Sequence, residues 1–92
     1  MSHDGVFRAL ADPTRREILE LLAQADLTAG EIAERFPIAF ASVSRHLGVL
    51  RDAGLVASER EGQFIRYRLN TTVYQDAVRY LMNVVKGGRR RA

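Results

Sequence analysis

Between Thr28 and Gly54, apolar residues recur at helical spacing in two short runs that are separated by a turn. In the first run, Thr28 stands three residues before Glu31, which is the spacing of a capping box and predicts the start of a helix. Pro37 disfavours a helical conformation at the residue before it and therefore predicts the turn. In the second run, apolar side chains share one face, while small, polar and basic side chains share the other. A short helix, a turn and a longer helix in this order predict a helix-turn-helix.

Two shorter helices are predicted before this motif. The first ends near residue 11, and its apolar residues are Val6, Phe7 and Leu10. Asp12 and Pro13 predict the start of the second, because an Asp side chain accepts from free backbone N–H groups and Pro has no N–H to leave unpaired. In that helix Arg16 and Glu20 have the i, i+4 spacing of an exposed ion pair. Contact of Arg15 and Arg16 with phosphate is the alternative.

After Gly54 the pattern changes from helical to alternating, and the segment LVASEREGQFIRYRL predicts a β-hairpin. We place its two-residue turn at Glu61-Gly62, so that Val56 faces Tyr67 on the side that packs against the helices. The other side and the tip carry Glu59, Arg60, Glu61, Gln63, Phe64, Arg66 and Arg68. A basic hairpin directly after a helix-turn-helix is typical of a wing that meets phosphate or the minor groove. An ordinary solvent-facing hairpin is the alternative.

A last helix is predicted from an N-cap at Asn70 to about Lys86. Its apolar residues are Val73, Tyr74, Ala77, Val78, Tyr80, Leu81, Met82, Val84 and Val85. This is more apolar surface than a small core needs, so we expect a second copy of the chain to cover part of it. The alternative is a fully internal core helix. The last six residues, GGRRRA, are predicted to form a disordered basic tail.

Length and charge agree with one small DNA-binding domain. The 92 residues predict a single domain over 1–86, mainly α with a small β-hairpin, followed by the tail over 87–92. The net charge is +3, but residues 1–40 contain four Arg against seven acids, whereas residues 41–92 contain ten basic residues against four acids. This asymmetry suggests a basic surface for nucleic acid, built mainly by the C-terminal half. A solvated basic face without a partner is the alternative.

Several other functions find no support in the sequence. The chain has no cysteine, which excludes disulfides and thiolate metal sites, and it has no run of 18 apolar residues or signal-peptide pattern. We therefore expect a cytoplasmic protein without membrane insertion. Ser44 and His46 are two residues apart on a helix and do not face each other, so they do not suggest an enzyme. His3 and Asp4 form at most a fragment of a metal site. We expect no metal and no cofactor.

Four segments together resemble the ArsR/SmtB family of winged-helix repressors across nearly the whole chain. They are ALADPTRREILELL, TAGEIAERF, SVSRHLGVLRDAGLV and EREGQFIRYRL. GQFIRYRLN and TTVYQD further resemble the small autorepressor branch of that family, which lacks metal ligands. The resemblance implies a homodimer, paired through its first and last helices, that binds an imperfect palindrome in promoter DNA and blocks transcription. It leaves open the operator, the regulated genes and an inducer, whether protein or small molecule.

The resemblance also implies roles for particular residues. DNA-reading side chains are expected at Ser42, Ser44, Arg45 and His46, and the wing adds Arg60, Gln63 and Arg66. Dimer contacts are expected at Val6, Phe7, Leu10, Val73, Ala77, Tyr80, Leu81 and Val84. For His46, a half-buried position bonded to backbone or phosphate stays open beside a base contact. A winged helix that serves only as a protein-interaction module is the alternative function.

Three residues depart from the family pattern. Ala39 replaces the usual polar cap of the second motif helix, and Gly48 stands where the family frequently has Lys. Gly48 costs the helix about 1 kcal/mol relative to Ala. Phe40 occupies a position that is often polar. We expect Phe40 to pack against the protein, and contact with a thymine methyl group is the alternative.

Overall fold

The structure is a computed structural model that describes residues 3–91, with side chains described for residues 3–87. Five helices and three strands follow one another within that range. They are α1 (Asp4–Leu10), α2 (Pro13–Gln24), β1 (Leu27–Thr28), α3 (Ala29–Ala33), α4 (Phe40–Asp52), β2 (Val56–Glu61), β3 (Phe64–Leu69) and α5 (Thr71–Arg91). The predicted fold class, mainly α with a β-hairpin, is confirmed.

The core lies where α2, α3 and α4 pack against the base of the hairpin. Its largest completely buried side chains are Ile18, Ile32, Val43, Leu47, Leu50 and Leu55. Val43, Leu47 and Leu50 are the apolar stripe that the sequence predicted for α4, and they hold one face of that helix inward. The opposite face of α4 is consequently turned away from the core.

Local signals set the helix starts as predicted. The Asp12 carboxylate accepts from the backbone N–H of Arg15 at 3.1 Å and begins α2. At α3, Thr28 Oγ1 accepts from the Glu31 N–H at 3.2 Å, while the Glu31 carboxylate accepts from the Thr28 N–H at 2.8 Å. This is the predicted capping box. Ala39 precedes α4 without any side-chain cap.

Gly54 ends α4 and turns the chain into the hairpin. Its φ of 81° is left-handed, a conformation that glycine adopts without steric cost. The Gly54 N–H donates to the Arg51 carbonyl at 2.9 Å and the Leu55 N–H donates to the Leu50 carbonyl at 3.0 Å. These two bonds form a Schellman motif, and its apolar residue Leu55 is buried in the core. The wing is therefore tied rigidly to the end of α4.

The predicted hairpin register was wrong by two residues. Val56 pairs with Leu69, not with Tyr67, and the turn lies at Gly62-Gln63. Gly62 has a φ of 62° and no described non-glycine residue has a positive φ, as a two-residue turn with glycine in its first position requires. A turn at Glu61-Gly62 of the favoured type would have needed a positive φ at Glu61. Because the slip is two residues, Val56 and Tyr67 still share the buried face.

The sheet also contains a strand that the sequence analysis missed. β1 pairs antiparallel with β3, so the strand order is β1-β3-β2. Only Leu27 and Thr28 form β1, and Thr28 also caps α3. Two residues are too few to show an alternating pattern. This pairing fixes the first helix of the helix-turn-helix to the wing.

Two further expectations differ from the structure. Arg16 donates to the Leu10 carbonyl at 2.8 Å, and no ion pair with Glu20 occurs among the described residues. The last carbonyls of a helix lack partners within the helix, so they attract this guanidinium. Helix α5 runs to Arg91 instead of ending near Lys86, and thus includes most of the tail predicted to be disordered. The two glycines, each about 1 kcal/mol less favourable in a helix than Ala, do not end it in this structure. Ala92 lies outside the described residues.

Candidate DNA interface

Helix α4 turns the predicted DNA-reading residues away from its buried stripe by different amounts, with Arg45 opposite the stripe and His46 beside it. Ser44 and Arg45 are exposed, and Ser42 and His46 are half-buried. Their outward direction follows from the complete burial of Val43, Leu47 and Leu50, which prevents the helix from rotating. Gly48 lies on the same helix, and a Cβ there would meet no atom within 4 Å. Packing therefore does not require glycine at this position.

Arg45 is available for a ligand. Within the described part of the chain its guanidinium has no hydrogen bond or ion pair, and its side chain lies in solvent. A guanidinium carries five donors in a planar fork that suits the two acceptors of guanine or the oxygens of phosphate. The geometry leaves this fork free to make either contact.

His46 contacts Arg15, a connection that the sequence analysis did not predict. Arg15 Nη1 lies 3.3 Å from His46 Nδ1. Because a guanidinium only donates, Nδ1 is the acceptor in this contact, and the proton of neutral His46 lies on Nε2. Arg15 also donates to the carbonyls of Ala9 at 2.8 Å and Arg8 at 3.1 Å. It thereby links the end of α1 to α4, and His46 Nε2 takes no part in this contact.

The tip of the wing carries exposed polar side chains. Arg60 Nε donates to the Gly62 carbonyl at 3.2 Å, which holds the guanidinium close to the turn, and Gln63 is exposed within the turn. Arg68 pairs with Glu59 across the two strands at 3.6 Å, so part of its charge is already balanced. Arg60 has no carboxylate partner among the described ion pairs and is the freer of the two cations.

Arg66 is bound to two carboxylates. Its Nε lies 2.9 Å from Glu61 and its Nη1 lies 3.9 Å from Glu31. The hydrogen bond that Arg66 donates to Glu61, together with the charge of that carboxylate, raises the pKa of the Arg66 guanidinium. The same residue donates to the Asp26 carbonyl at 3.4 Å. Arg66 therefore connects the wing to α3 and neutralises two acids that would otherwise face an approaching polyanion.

The expected packing of Phe40 was wrong. Its side chain is 56 % exposed, although it stands at the start of α4 beside a complete core. The core face of the helix is already filled by its aliphatic stripe, which leaves no room for a further aromatic ring. Phe64 on the wing is 57 % exposed as well. Two phenylalanines are thus offered to solvent on this side of the molecule.

The residues predicted for the dimer interface divide into three groups. Val6 and Ala77 are buried in the core, which leaves them little surface for a partner. Phe7, Leu10 and Val73 are half-buried, and Tyr80, Leu81 and Val84 are exposed. The ring of Tyr80 lies 5.9 Å from that of Phe7 and 4.9 Å from that of His3, centroid to centroid. The exposed stripe of α5 is therefore continuous with α1.

Other kinds of site receive no support from the described residues. No group of three or more His, Cys, Asp or Glu side chains there could hold a metal ion. Likewise, no helix of the described chain has the length and apolar character needed to span a bilayer.

These features together define a winged helix-turn-helix DNA-binding protein, and comparisons with known proteins agree. A family profile described as a helix-turn-helix domain matches residues 10–59. The transcriptional repressor SdpR of Bacillus subtilis is 49 % identical over 85 residues, which cover 92 % of this chain and 94 % of that protein. The regulator Rv2034 of Mycobacterium tuberculosis is 44 % identical over 77 % of this chain and 66 % of its own length.

A solved structure resembles the whole fold. An ArsR-like transcriptional regulator from Rhodococcus sp. RHA1 superposes with a TM-score of 0.88 at 37 % identity, covering 97 % of this chain and 84 % of that one. The chain belongs to the ArsR family of winged-helix transcriptional regulators. It is a DNA-binding regulator of transcription and not an enzyme.

Proposed function

We propose that the protein is a homodimeric repressor that binds an imperfect palindrome in promoter DNA and acts without a metal ion. The observation that carries this proposal is that one molecule has both an α4 whose polar face points outward and an α5 whose apolar face is uncovered. One surface suits DNA and the other suits a second copy of the chain. A two-fold symmetric dimer would present two α4 helices to two half-sites, whose centres lie about 10 base pairs or a multiple apart.

The exposed stripe of α5 supports the dimer. Six large apolar side chains on this helix are each 45–55 % exposed: Val78, Tyr80, Leu81, Met82, Val84 and Val85. A monomer in water rarely keeps such a row of apolar groups uncovered. An isologous contact between two α5 helices, with Phe7 and Tyr80 at its edge, would remove them from water. A chain of 92 residues gains more from such a contact than a larger protein does, because its own core is small.

The two candidate arginines would bind DNA in different ways. Arg45 lies on the outward face of α4, where its fork could donate to both O6 and N7 of a guanine in the major groove. Arg60 lies at the wing tip, within reach of phosphate or the minor groove. Ser42, Ser44, His46 and Gln63 would add hydrogen bonds around these contacts. Arg66 contributes by balancing Glu31 and Glu61.

A first experiment separates these two arginines. Sequencing of duplexes selected from a random pool by the purified protein would supply the operator. On single-base variants of that operator, Arg45→Ala should lose about 1–3 kcal/mol of binding free energy and flatten preference at one base position per half-site. Arg60→Ala should weaken all sequences alike and lower the salt slope by about one unit. Fluorescence anisotropy at several salt concentrations measures both effects.

Two outcomes would contradict this assignment. Equal losses for Arg45→Ala on operator and random duplex would mean that Arg45 contacts only phosphate. Selection of no duplex by the parent protein, even at low salt, would refute the repressor proposal as a whole. Arg68→Ala is a matched control on the wing. Because the Arg68 guanidinium already pairs with Glu59, this variant should change DNA affinity and the salt slope less than Arg60→Ala does.

The metal-independent mode has its own test. The chain contains no cysteine and its two histidines, His3 and His46, lie on different helices or their caps. A tightly held zinc ion needs about four well-placed ligands. We expect no stoichiometric zinc, nickel or cadmium by elemental analysis, and unchanged operator affinity after treatment with a chelator. One tightly bound metal per subunit would contradict this part of the proposal.

A further inference from the structure

An apolar notch of about 350 Å³ lies between α4 and the wing. Phe40 and Ser44 of α4 form one wall, Phe64 and Ile65 of β3 form the other, and the first turn of α3 forms the floor. Phe40 and Ser44 are four residues apart and therefore lie on the same face of the helix. The notch thus opens between the two elements that the proposed function assigns to DNA.

The phenylalanines of this notch lie outside the hydrophobic core. Phe40 and Phe64 are more than half exposed, whereas the core side of α4 is closed by residues with no exposed surface. Contact with water is unfavourable for a phenyl ring, and uncovered apolar surface at one site indicates an apolar occupant. Polar Ser44 and Gln63 also line the notch, so hydrogen-bonding groups lie beside its apolar walls.

We propose that the notch receives the 5-methyl group of one thymine in each half-site, and that Phe40 is the residue that selects it. The inference rests on the proposed DNA-binding mode. Phe40 is the first residue of α4, and the N-terminal residues of a recognition helix are those that approach base edges in the major groove. Thymine is the unmodified base that shows an apolar group there. Continuity with the outward face of α4 therefore favours a thymine methyl group as the occupant.

The test removes only the methyl group. Each thymine of the selected operator is replaced in turn, in both half-sites at once, by deoxyuridine, which keeps every hydrogen-bonding group. One buried methyl group is worth about fourfold in a binding constant, so the parent should lose about fifteenfold at one symmetric pair of positions. Phe40→Ala should bind the thymine and deoxyuridine operators with equal affinity. Phe40→Leu, which keeps an apolar side chain, should retain most of the discrimination.

Ile38→Ala is the matched control. Ile38 is another exposed apolar residue, 40 % accessible and two positions before Phe40, but it does not line the notch. This variant should keep the full ratio of affinities for the thymine and deoxyuridine operators. Thermal unfolding followed by circular dichroism should show that all three variants are folded, since both side chains are exposed in the parent.

Three results would overturn the inference. Equal parent affinity for every deoxyuridine operator would mean that no methyl group is bound, while the measured operator binding would leave the repressor proposal intact. An undiminished ratio for Phe40→Ala would assign the methyl contact to another residue, and the notch would then have a different occupant, such as a small apolar ligand or a protein. Failure of the parent to select any duplex would refute the repressor proposal and this inference together.

Discussion

Helix α4 buries Val43, Leu47 and Leu50 completely, whereas α5 leaves Leu81, Val84 and Val85 about half exposed at 50 %, 55 % and 54 %. Both helices carry an apolar stripe at the same spacing, and the chain itself covers only the first. The stripe of α4 meets α2, α3 and the hairpin. Beyond Ala77, the stripe of α5 is exposed. The whole molecule is elongated and measures 54 Å along its longest axis but only 24 and 22 Å across.

Helical periodicity therefore identifies an apolar face but not the surface that covers it. For α4, the face serves to orient the polar side of the helix, and its position is determined within one chain. For α5, the apolar face would be removed from water, with a favourable free energy of transfer, only if another molecule covered it. The two helices should therefore respond differently to the same substitution.

The largest effect is expected for Leu47→Glu. This substitution would place a carboxylate among apolar core side chains, in a position without any exposed surface. The cost should exceed about 4 kcal/mol, a large share of the total stability of a small domain. Circular dichroism should show loss of the cooperative thermal transition at any protein concentration. A variant that melts within about 5 °C of the parent would contradict the assignment of α4 to the core of one chain.

Leu81→Glu, the same substitution on α5, should leave the fold intact and dissociate the proposed dimer. The side chain is half exposed in one chain, so the carboxylate reaches water there, but it would be desolvated between two chains. We expect association to weaken by about 2–4 kcal/mol. Sedimentation should show a folded monomer at concentrations where the parent is a dimer.

Asn83→Glu is the control for this second substitution. Asn83 is exposed and stands two positions after Leu81, so it lies on the polar face of α5 and not beside Leu81. The variant adds the same charge and should leave the proposed dimer intact. A dimeric and folded Leu81→Glu protein would place the interface elsewhere. Dissociation by both variants would indicate a general effect of charge on the helix instead of a contact at Leu81.

Local signals account for what the sequence predicted well. A cap or a glycine turn involves residues that are close in sequence, as in the bonds between Thr28 and Glu31 or the Schellman motif at Gly54. The buried stripe of α4 could also be predicted from local sequence, because the spacing of its apolar residues identifies the buried face. The helix-turn-helix and its outward face could therefore be predicted without a structure.

Contacts between distant segments could not be predicted in this way. Arg15 meets His46 across 31 positions, and β1 is recognisable only by its pairing with Tyr67 and Arg66 of β3. The exposure of Phe40 depends on whether the core has room for it, which no local pattern reveals. The hairpin register failed for a local reason, since the choice between two turns depended on where the positive φ of the glycine would fall.

The smallest predicted effect is a loss of stability in acid that arises in the body of the molecule and not at the start of α5. The backbone N–H of Arg15 lowers the pKa of the Asp12 carboxyl, and the Thr28 N–H does the same for Glu31. A carboxyl whose pKa is lower in the folded state stabilises that state above its unfolded pKa of about 4, and this contribution is lost as the pH falls through the folded pKa. The first turn of α5 carries no acidic residue.

Chemical denaturation from about pH 6 down to about pH 3 should show the free energy of unfolding decreasing below about pH 4. Asp12→Asn and Glu31→Gln keep side chains that can serve as caps but cannot titrate, so the double variant should have a shallower acid slope than the parent. Asp76→Asn, which removes a carboxylate from the exposed Asp76–Arg79 pair of α5, is the control and should leave most of that slope in place. An equally steep slope in the double variant would mean that the two caps contribute nothing to the acid response.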